Sequence, residues 1–199
     1  MALVLSAEQK SVEQIFSATE TFLIPAYQRP YSWEYDQCFQ LYRDMTSAYE
    51  DGKKDYFIGN IIIAKSATER SNRYVVDGQQ RLITMWLFLR VANILYPELK
   101  VLKKMTVTES REEGVEDELN IKSKVFETKD GETLKKVFGY KEICAFENFY
   151  KSYCNRNSKF VESRCENRIV ANFIWMYIWL SDFKSKNSLQ CKEFVLYVI

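Results

Sequence analysis

The chain has 199 residues, of which 47% are hydrophobic, and a formal net charge of +1. It can therefore bury a packed core, but no overall charge draws it toward nucleic acid or an acidic membrane. The absence of histidine excludes histidine-dependent triads and histidine-ligated metal or nuclease sites within this chain. Any hydrolytic chemistry must use carboxylates, arginines and amides, with a divalent cation where a metal takes part.

The N-terminal residues predict a helix, a strand and a second helix. Ser6 and Gln9 fit a capping box, followed by a short amphipathic helix to about Ala18. Residues 21–24 predict a strand that ends at a proline. A helix over residues 33–50 follows, capped by Ser32, because its apolar residues recur at helical spacing.

The stretch between that strand and that helix is Ile24-Pro-Ala-Tyr-Gln-Arg-Pro-Tyr-Ser-Trp33. Its two prolines favour a rigid, extended path that holds Gln28 and Arg29 in fixed directions. Arg29 is then either an anion-binding residue or part of a surface salt bridge. For Tyr27, Tyr31 and Trp33 the simpler interpretation is that they pack beneath the loop.

Residues 56–64 form a nearly continuous apolar run, which predicts a strand buried on both faces. Gly59 and Asn60 interrupt it, and a glycine inside a strand marks either a bulge or a close approach by a ligand or backbone. The bulge is the commoner outcome. Residues 65–72 are polar and predict a hairpin leading to a short strand at residues 74–76.

Asp77-Gly-Gln-Gln-Arg81 joins that strand to a helix that begins at Gln79. A helix N-terminus offers free N–H groups and the positive end of the helix dipole, which suits a phosphate. Gly78 lets the backbone approach a ligand, and Arg81 adds a fork of donors. The alternative is an ordinary turn in which Asp77 caps the helix.

The helix after Gln79 is apolar on nearly all sides, so we expect it at the centre of the fold, ending at Pro97. Beyond it, residues 108–118 are mostly acidic and predict a solvated loop. The remaining predictions are a strand at 122–128, helices at 130–137, 144–153 and 165–183, and a strand at 193–199. Because that last apolar strand has no turn after it, we expect the chain to be a fragment.

Cysteines and hydropathy bear on the compartment. The five cysteines include no C-x-x-C pair, and their odd number indicates reduced thiols, with a catalytic cysteine as the weaker alternative. The most apolar run, residues 169–180, is shorter than the ~20 residues that span a bilayer. No secretory signal is visible. We therefore expect a cytoplasmic protein without a membrane partner.

Three motifs in order, Ile24–Trp33, Tyr-Phe-Ile-Gly-Asn at residues 56–60, and Val-Asp-Gly-Gln-Gln-Arg-Leu-Ile-Thr at residues 76–84, resemble the N-terminal domain of GmrSD-type modification-dependent restriction enzymes. The resemblance implies an α/β (α+β) fold, with a ParB/sulfiredoxin-like core of a small mixed sheet and helices over residues 1–96. A mainly helical extension over residues 97–199 follows, truncated before the family's C-terminal part.

The resemblance also implies a nucleoside triphosphate, GTP above all, bound with Mg²⁺ and hydrolysed. Gly78 and Gln79 would then offer backbone N–H groups, Arg81 would hold a phosphate, and Asp77 would position a metal or water. Gln80 joins Asp77 and Arg81 as a catalytic candidate, while Gln28 and Arg29 form a second phosphate clamp. Phosphoryl transfer needs charge neutralisation and alignment more than covalent chemistry, so these residue types suffice.

Family members often continue into a His-Asn-His nuclease domain, which a chain without histidine cannot supply. DNA cleavage in phage defence would thus need a further C-terminal part or a partner chain, and hydrolysis could also depend on that part. The main alternative is a non-hydrolysing ParB-like module that binds DNA or protein, with phosphate contacts from Arg29, Lys53, Lys54, Arg70 and Arg73. A sulfiredoxin-like thiol enzyme is disfavoured, because glutamines stand where the cysteine would be.

Overall fold

The computed structural model of the chain describes residues 6–16, 21–65, 72–108, 118–125, 129–139 and 168–199. Within these residues the chain forms seven helices and six strands. They are α1 (Val12–Phe16), β1 (Thr21–Ile24), α2 (Tyr35–Glu50), β2 (Ile62–Lys65), β3 (Asn72–Asp77), α3 (Gln79–Leu95), α4 (Lys100–Thr106), β4 (Val107–Thr108), β5 (Glu118–Leu119), β6 (Ile121–Ser123), α5 (Lys129–Gly139), α6 (Arg168–Lys186) and α7 (Ser188–Val198).

Four strands form a mixed sheet in the order β2-β3-β1-β6, which confirms the predicted α+β class. β1 runs parallel to both β3 and β6, while β2 pairs antiparallel with β3 as the predicted hairpin. The carboxyl ends of β1, β3 and β6 therefore share one edge of the sheet with the start of β2. A separate two-stranded ribbon joins β4 and β5.

Helix α3 is the centre of the core, as its composition predicts. Leu82, Trp86 and Leu87 are fully buried, and the helix packs against α4 and α6. Burial of each such side chain stabilises the fold by roughly 1.5–3 kcal/mol. The first turn of α3 is thus held on a rigid support.

Both predicted helix caps are wrong by a few residues. The capping box of α1 is formed by Ser11 and Gln14, each of which accepts the other's backbone N–H at 3.0–3.1 Å. Ser6 precedes the helix, and residues 17–20 lie outside the described part. Helix α2 begins at Tyr35 with Glu34 as its N-cap, and the Gln37 side chain accepts the Glu34 N–H at 2.9 Å.

The predicted strand over residues 56–64 is also wrong in extent and burial. Only Ile62–Lys65 forms a strand, and its side chains are half-buried or exposed. β2 is the edge strand of the sheet and pairs with β3 alone. Gly59 has φ +112°, a conformation that ends any regular strand before Ile62.

The predicted C-terminal strand is a helix instead. Helix α7 spans Ser188–Val198, and the Asn187 side chain caps it by accepting the Gln190 N–H at 3.1 Å. Its buried residues, Cys191, Phe194, Val195 and Val198, follow the i, i+3, i+4, i+7 spacing of one helical face. The short β-rich pattern at the end of the chain is therefore overridden by helical packing.

Some of the other elements predicted after residue 97 are present, and others lie outside the described residues. The strand predicted at 122–128 is β6, three residues long, and the helix predicted at 130–137 is α5. The helix predicted at 144–153 and most of the acidic stretch lie outside the described residues. Because β6 joins the sheet, residues 97–199 contribute to it as well as adding helices; the boundary after residue 96 stays a prediction. No helix in the described ranges is long and apolar enough to cross a membrane.

Candidate functional site

Three chain segments meet at the carboxyl edge of the sheet. The first is the loop of residues 25–34, which follows β1. The second is the Gly78 turn between β3 and α3, and the third is the segment of residues 56–61 that leads into β2. In open sheets of this kind, ligands bind beyond the carboxyl ends of parallel strands.

Gly78 is required by its conformation and by its neighbours. Its φ is +83°, and a Cβ at this position would lie 2.7 Å from the Asn60 carbonyl oxygen. Gly78, not Asp77, is the N-cap of α3, and no side chain caps the helix by a hydrogen bond. The alternative in which Asp77 caps the turn is therefore wrong.

The start of α3 presents free backbone donors. The first helical hydrogen bond runs from the Leu82 N–H to the Gly78 carbonyl, at 3.0 Å. The N–H groups of Gln79, Gln80 and Arg81 precede it and have no acceptor within the helix. With the positive end of the helix dipole, they form an environment that favours an anion.

Arg81 lies beside this turn, with its guanidinium packed on Gly59. A Cβ at Gly59 would come within 2.9 Å of both Cζ and Nε of Arg81. Neither alternative for this glycine is what the structure shows, because Gly59 lies outside the strand and is approached by a side chain rather than by a ligand or the backbone. The half-buried Arg81 side chain makes no ion pair and no hydrogen bond to any described residue.

The Tyr56 hydroxyl donates to Asp44 Oδ2 at 3.2 Å. Burial raises the pKa of Tyr56, the Asp44 carboxylate adds to that rise, and the Arg81 charge opposes it. Among the described residues, no carboxylate forms an ion pair with Arg81. A guanidinium left in this state can bind an anionic ligand with two parallel hydrogen bonds.

Two predicted ligand amides instead hold the 25–34 loop against the turn. Gln28 Nε2 donates to the Val76 carbonyl at 2.8 Å, and Gln79 Nε2 donates to the Arg29 carbonyl at 2.9 Å. Both side chains are occupied by backbone. Their contribution to a ligand site would come from main-chain groups and from the position they impose on Arg29.

Gln80 is more fully committed. Its Oε1 accepts from the N–H of Ser32 at 2.8 Å and of Trp33 at 3.2 Å. Its Nε2 donates to the Pro30 carbonyl at 3.2 Å, and the side chain is buried. Its predicted catalytic role stays a prediction, but the amide visibly serves to fix the loop.

Arg29 and Asp77 have exposed side chains at this edge. Neither makes an ion pair or side-chain hydrogen bond with any residue in the described ranges. The surface salt bridge considered for Arg29 thus has no partner among those residues.

Sequence reasoning missed Lys124, whose N–H donates to the Ile24 carbonyl at 2.9 Å and whose exposed side chain follows β6. No local sequence pattern predicts this position, because Lys124 comes close to β1 only through the pairing of β6 with β1 in the sheet.

The aromatic residues of the loop divide. Tyr31 is buried and Trp33 half-buried, as expected for residues that pack beneath a loop, but Tyr27 is 76% exposed. The backbone N–H of Tyr31 donates to the buried carboxylate of Asp130 at 2.8 Å. Like Lys124, Asp130 at the start of α5 has a contact with this part of the structure that no sequence pattern predicts.

Among the residues that the structure describes, no side chain at this edge supplies a thiol or a metal cage. Cys38 is buried, and burial raises its pKa to about 11, which keeps it protonated and unreactive. Within the described ranges, no three His, Cys, Asp or Glu side chains are grouped to hold a metal ion. One exposed carboxylate, Asp77, still fits Mg²⁺, which proteins commonly hold through one or two carboxylates and the substrate's phosphates.

Comparison with known proteins identifies one family. The model of the GmrSD restriction endonuclease N-terminal domain matches residues 12–196. The match covers the 25–34 loop, the Gly78 turn and both later helices α6 and α7. No curated protein matches the chain.

Proposed function

The chain belongs to the GmrSD restriction endonuclease N-terminal domain family, and on that premise we propose that it binds a nucleoside triphosphate and hydrolyses it. The observation that carries the proposal is the Arg81 guanidinium, which has no partner among the described residues and stands beside the uncapped start of α3. A polyphosphate suits both groups, because its negative charges can pair with the guanidinium and its oxygens can accept hydrogen bonds from the N–H groups at the helix start.

Backbone groups and arginine side chains would each contribute part of the phosphate binding. The backbone N–H groups of Gln79, Gln80 and Arg81 and the Arg81 guanidinium would bind phosphate oxygens, with Gly78 leaving room for their approach. Arg29, held in place by the Gln79 amide, would add a second cation from the loop. A hydrogen bond to a charged group contributes about 1.5–3 kcal/mol, so each arginine would account for roughly a tenfold to hundredfold change in affinity.

Hydrolysis would need alignment and charge neutralisation rather than a protein nucleophile. Mg²⁺ arriving with the phosphates would neutralise charge that develops on the transferring group. Asp77 is the exposed carboxylate placed to hold that ion or to orient the attacking water. Gln80 would act by keeping the loop in place, since its amide already makes three hydrogen bonds.

A preference for GTP follows from the family resemblance alone. The same resemblance supports a role in phage defence, in which nucleotide binding by this domain regulates DNA cleavage. With no histidine in the chain, a His-Asn-His nuclease would have to come from a further domain or a partner chain. The DNA would be bound by the assembly of this chain with that domain or partner.

The test compares the two ligand classes directly. Calorimetric titration of the chain with ATP, GTP, CTP and UTP, each with Mg²⁺, should detect saturable binding at micromolar concentrations. A parallel titration with duplex DNA at 50 and 200 mM salt serves as the control, because DNA binding through many phosphates weakens steeply with salt. Salt-sensitive DNA binding with no nucleotide binding would instead support the ParB-like DNA module.

A further inference from the structure

The buried hydroxyl of Tyr31 is a junction between the loop and three helices. It lies 2.7 Å from Thr84 Oγ1 on α3, 3.1 Å from Asn172 Nδ2 on α6 and 3.3 Å from Cys38 Sγ on α2. All four side chains are buried. A hydroxyl in this position must make specific hydrogen bonds, since an unmet polar group costs about 1–3 kcal/mol.

The direction of these hydrogen bonds can be worked out. Thr84 Oγ1 donates to the Gln80 carbonyl at 2.8 Å, which uses its one hydrogen, so it accepts from Tyr31. The Tyr31 oxygen in turn accepts from the amide of Asn172. A chain of donors therefore runs from Asn172 through Tyr31 and Thr84 to Gln80, and such chains strengthen their members cooperatively.

The residues at both ends of this chain also form hydrogen bonds with the loop. Asn172 Nδ2 donates to the Trp33 carbonyl at 2.8 Å. Gln80, whose backbone carbonyl ends the chain, bonds the backbone of Pro30, Ser32 and Trp33 through its side-chain amide. Burial raises the pKa of Tyr31 well above its ordinary value, so the hydroxyl keeps its hydrogen at any working pH.

We propose that Tyr31 and Asn172 are positioning residues for the nucleotide site, which fix the loop that carries Arg29 and tie it to α6. The proposal rests on the proposed function. Neither residue touches the ligand; each acts through the loop. A displacement of α6 would break the donor chain at Asn172 and lower nucleotide affinity, which gives the helical part of the chain a physical means of influencing the site.

The test uses two variants that remove hydrogen bonds at nearly constant volume, Tyr31→Phe and Asn172→Leu. We expect each to weaken Mg²⁺–nucleotide binding about tenfold, the effect of losing one or two buried hydrogen bonds that order the site. Titrations are run well below the melting temperature of each variant, measured by circular dichroism, so that unfolding does not contribute.

Two further measurements separate positioning from general stability. In an Arg29→Ala background, Tyr31→Phe should have little further effect on affinity, because the residue that it positions is gone. Asn120→Leu is the matched control: Asn120 is equally buried and donates to the Phe16 and Met105 carbonyls, but it lies at the opposite edge of the sheet. It should lower stability and leave nucleotide affinity unchanged.

The outcomes distinguish this proposal from the one it rests on. If wild type binds nucleotide, Arg81→Ala loses it, and Tyr31→Phe and Asn172→Leu bind as wild type does, the positioning role is wrong and the nucleotide site stands. Equal losses from Tyr31→Phe with and without Arg29 would likewise overturn it. If wild type binds no nucleotide, the proposed function fails and this inference falls with it.

Discussion

The Arg81 guanidinium packs directly on the backbone of Gly59, where a single added carbon would lie 2.9 Å from Cζ and Nε. The two residues are 22 positions apart, yet the position of one fixes the space allowed to the other. Gly59 thus belongs to the site as the floor on which the Arg81 side chain lies.

Gly59→Ala should therefore displace Arg81 and weaken nucleotide binding by roughly tenfold or more, the equivalent of one hydrogen bond to a charged group. The positive φ also adds about 1–3 kcal/mol of backbone strain. Calorimetric titration measures the first effect and chemical denaturation the second.

Gly52→Ala is the matched control. Gly52 also has a positive φ, +64°, but nothing within 4 Å would meet its Cβ. This variant should lose about 1–2 kcal/mol of stability from left-handed strain with unchanged nucleotide affinity. Similar affinity losses in both glycine variants would show that strain alone, and not Arg81, is responsible.

Gln80→Ala should destabilise the fold, because it leaves the N–H groups of Ser32 and Trp33 without their acceptor. We expect the free energy of unfolding in urea to fall by about 2–3 kcal/mol. Gln40→Ala is the control: Gln40 makes one exposed hydrogen bond, to Asp44, and its loss should cost no more than about 0.5 kcal/mol. A Gln80 variant as stable as wild type but slower in turnover would favour the catalytic role predicted for this amide.

Cys38 should resist alkylation in the native state. Burial raises its pKa to about 11, whereas the pKa of an exposed thiol is about 8.5. At pH 8, iodoacetamide should label Cys38 about a hundredfold more slowly in native protein than in urea, as peptide mass spectrometry can measure. Fast labelling of the native protein would contradict its burial against Tyr31.

The same shift affects stability at high pH. Because the folded-state pKa is raised, Cys38 stabilises the fold fully below about pH 8.5, where the thiol is protonated in both states. This contribution is lost as the pH rises toward 11, because only the unfolded thiol ionises. Cys38→Ser should show a smaller decline in melting temperature over that interval than wild type.

The sequence predicted those elements whose signal is local and unbroken. β1 and α3 follow from continuous apolar patterns, and the turn between β3 and α3 follows from Gly78. Where two local patterns were equivalent, the choice failed: Ser6 and Ser11 each precede a glutamine by three residues, and the structure forms the second box.

The side-chain roles in the site depended on contacts that no local pattern contains. Gln79 and Gln80 look like ligand donors in sequence, but their partners lie about fifty residues earlier in the 25–34 loop. Asn172 interrupts an apolar helix without any visible reason until Tyr31 is placed beside it. Long-range hydrogen bonds of this kind become visible only when the fold is known.

Binding of Mg²⁺–GTP to wild type, Arg81→Ala and Arg43→Ala, measured by calorimetry under one buffer condition, decides whether the Gly78 turn is a nucleotide site. Arg43 is an exposed arginine on α2, so both variants lose the same charge. We expect Arg81→Ala to bind at least about tenfold more weakly and Arg43→Ala to bind as wild type does. Equal affinity in all three proteins would contradict the assignment of phosphate binding to this turn.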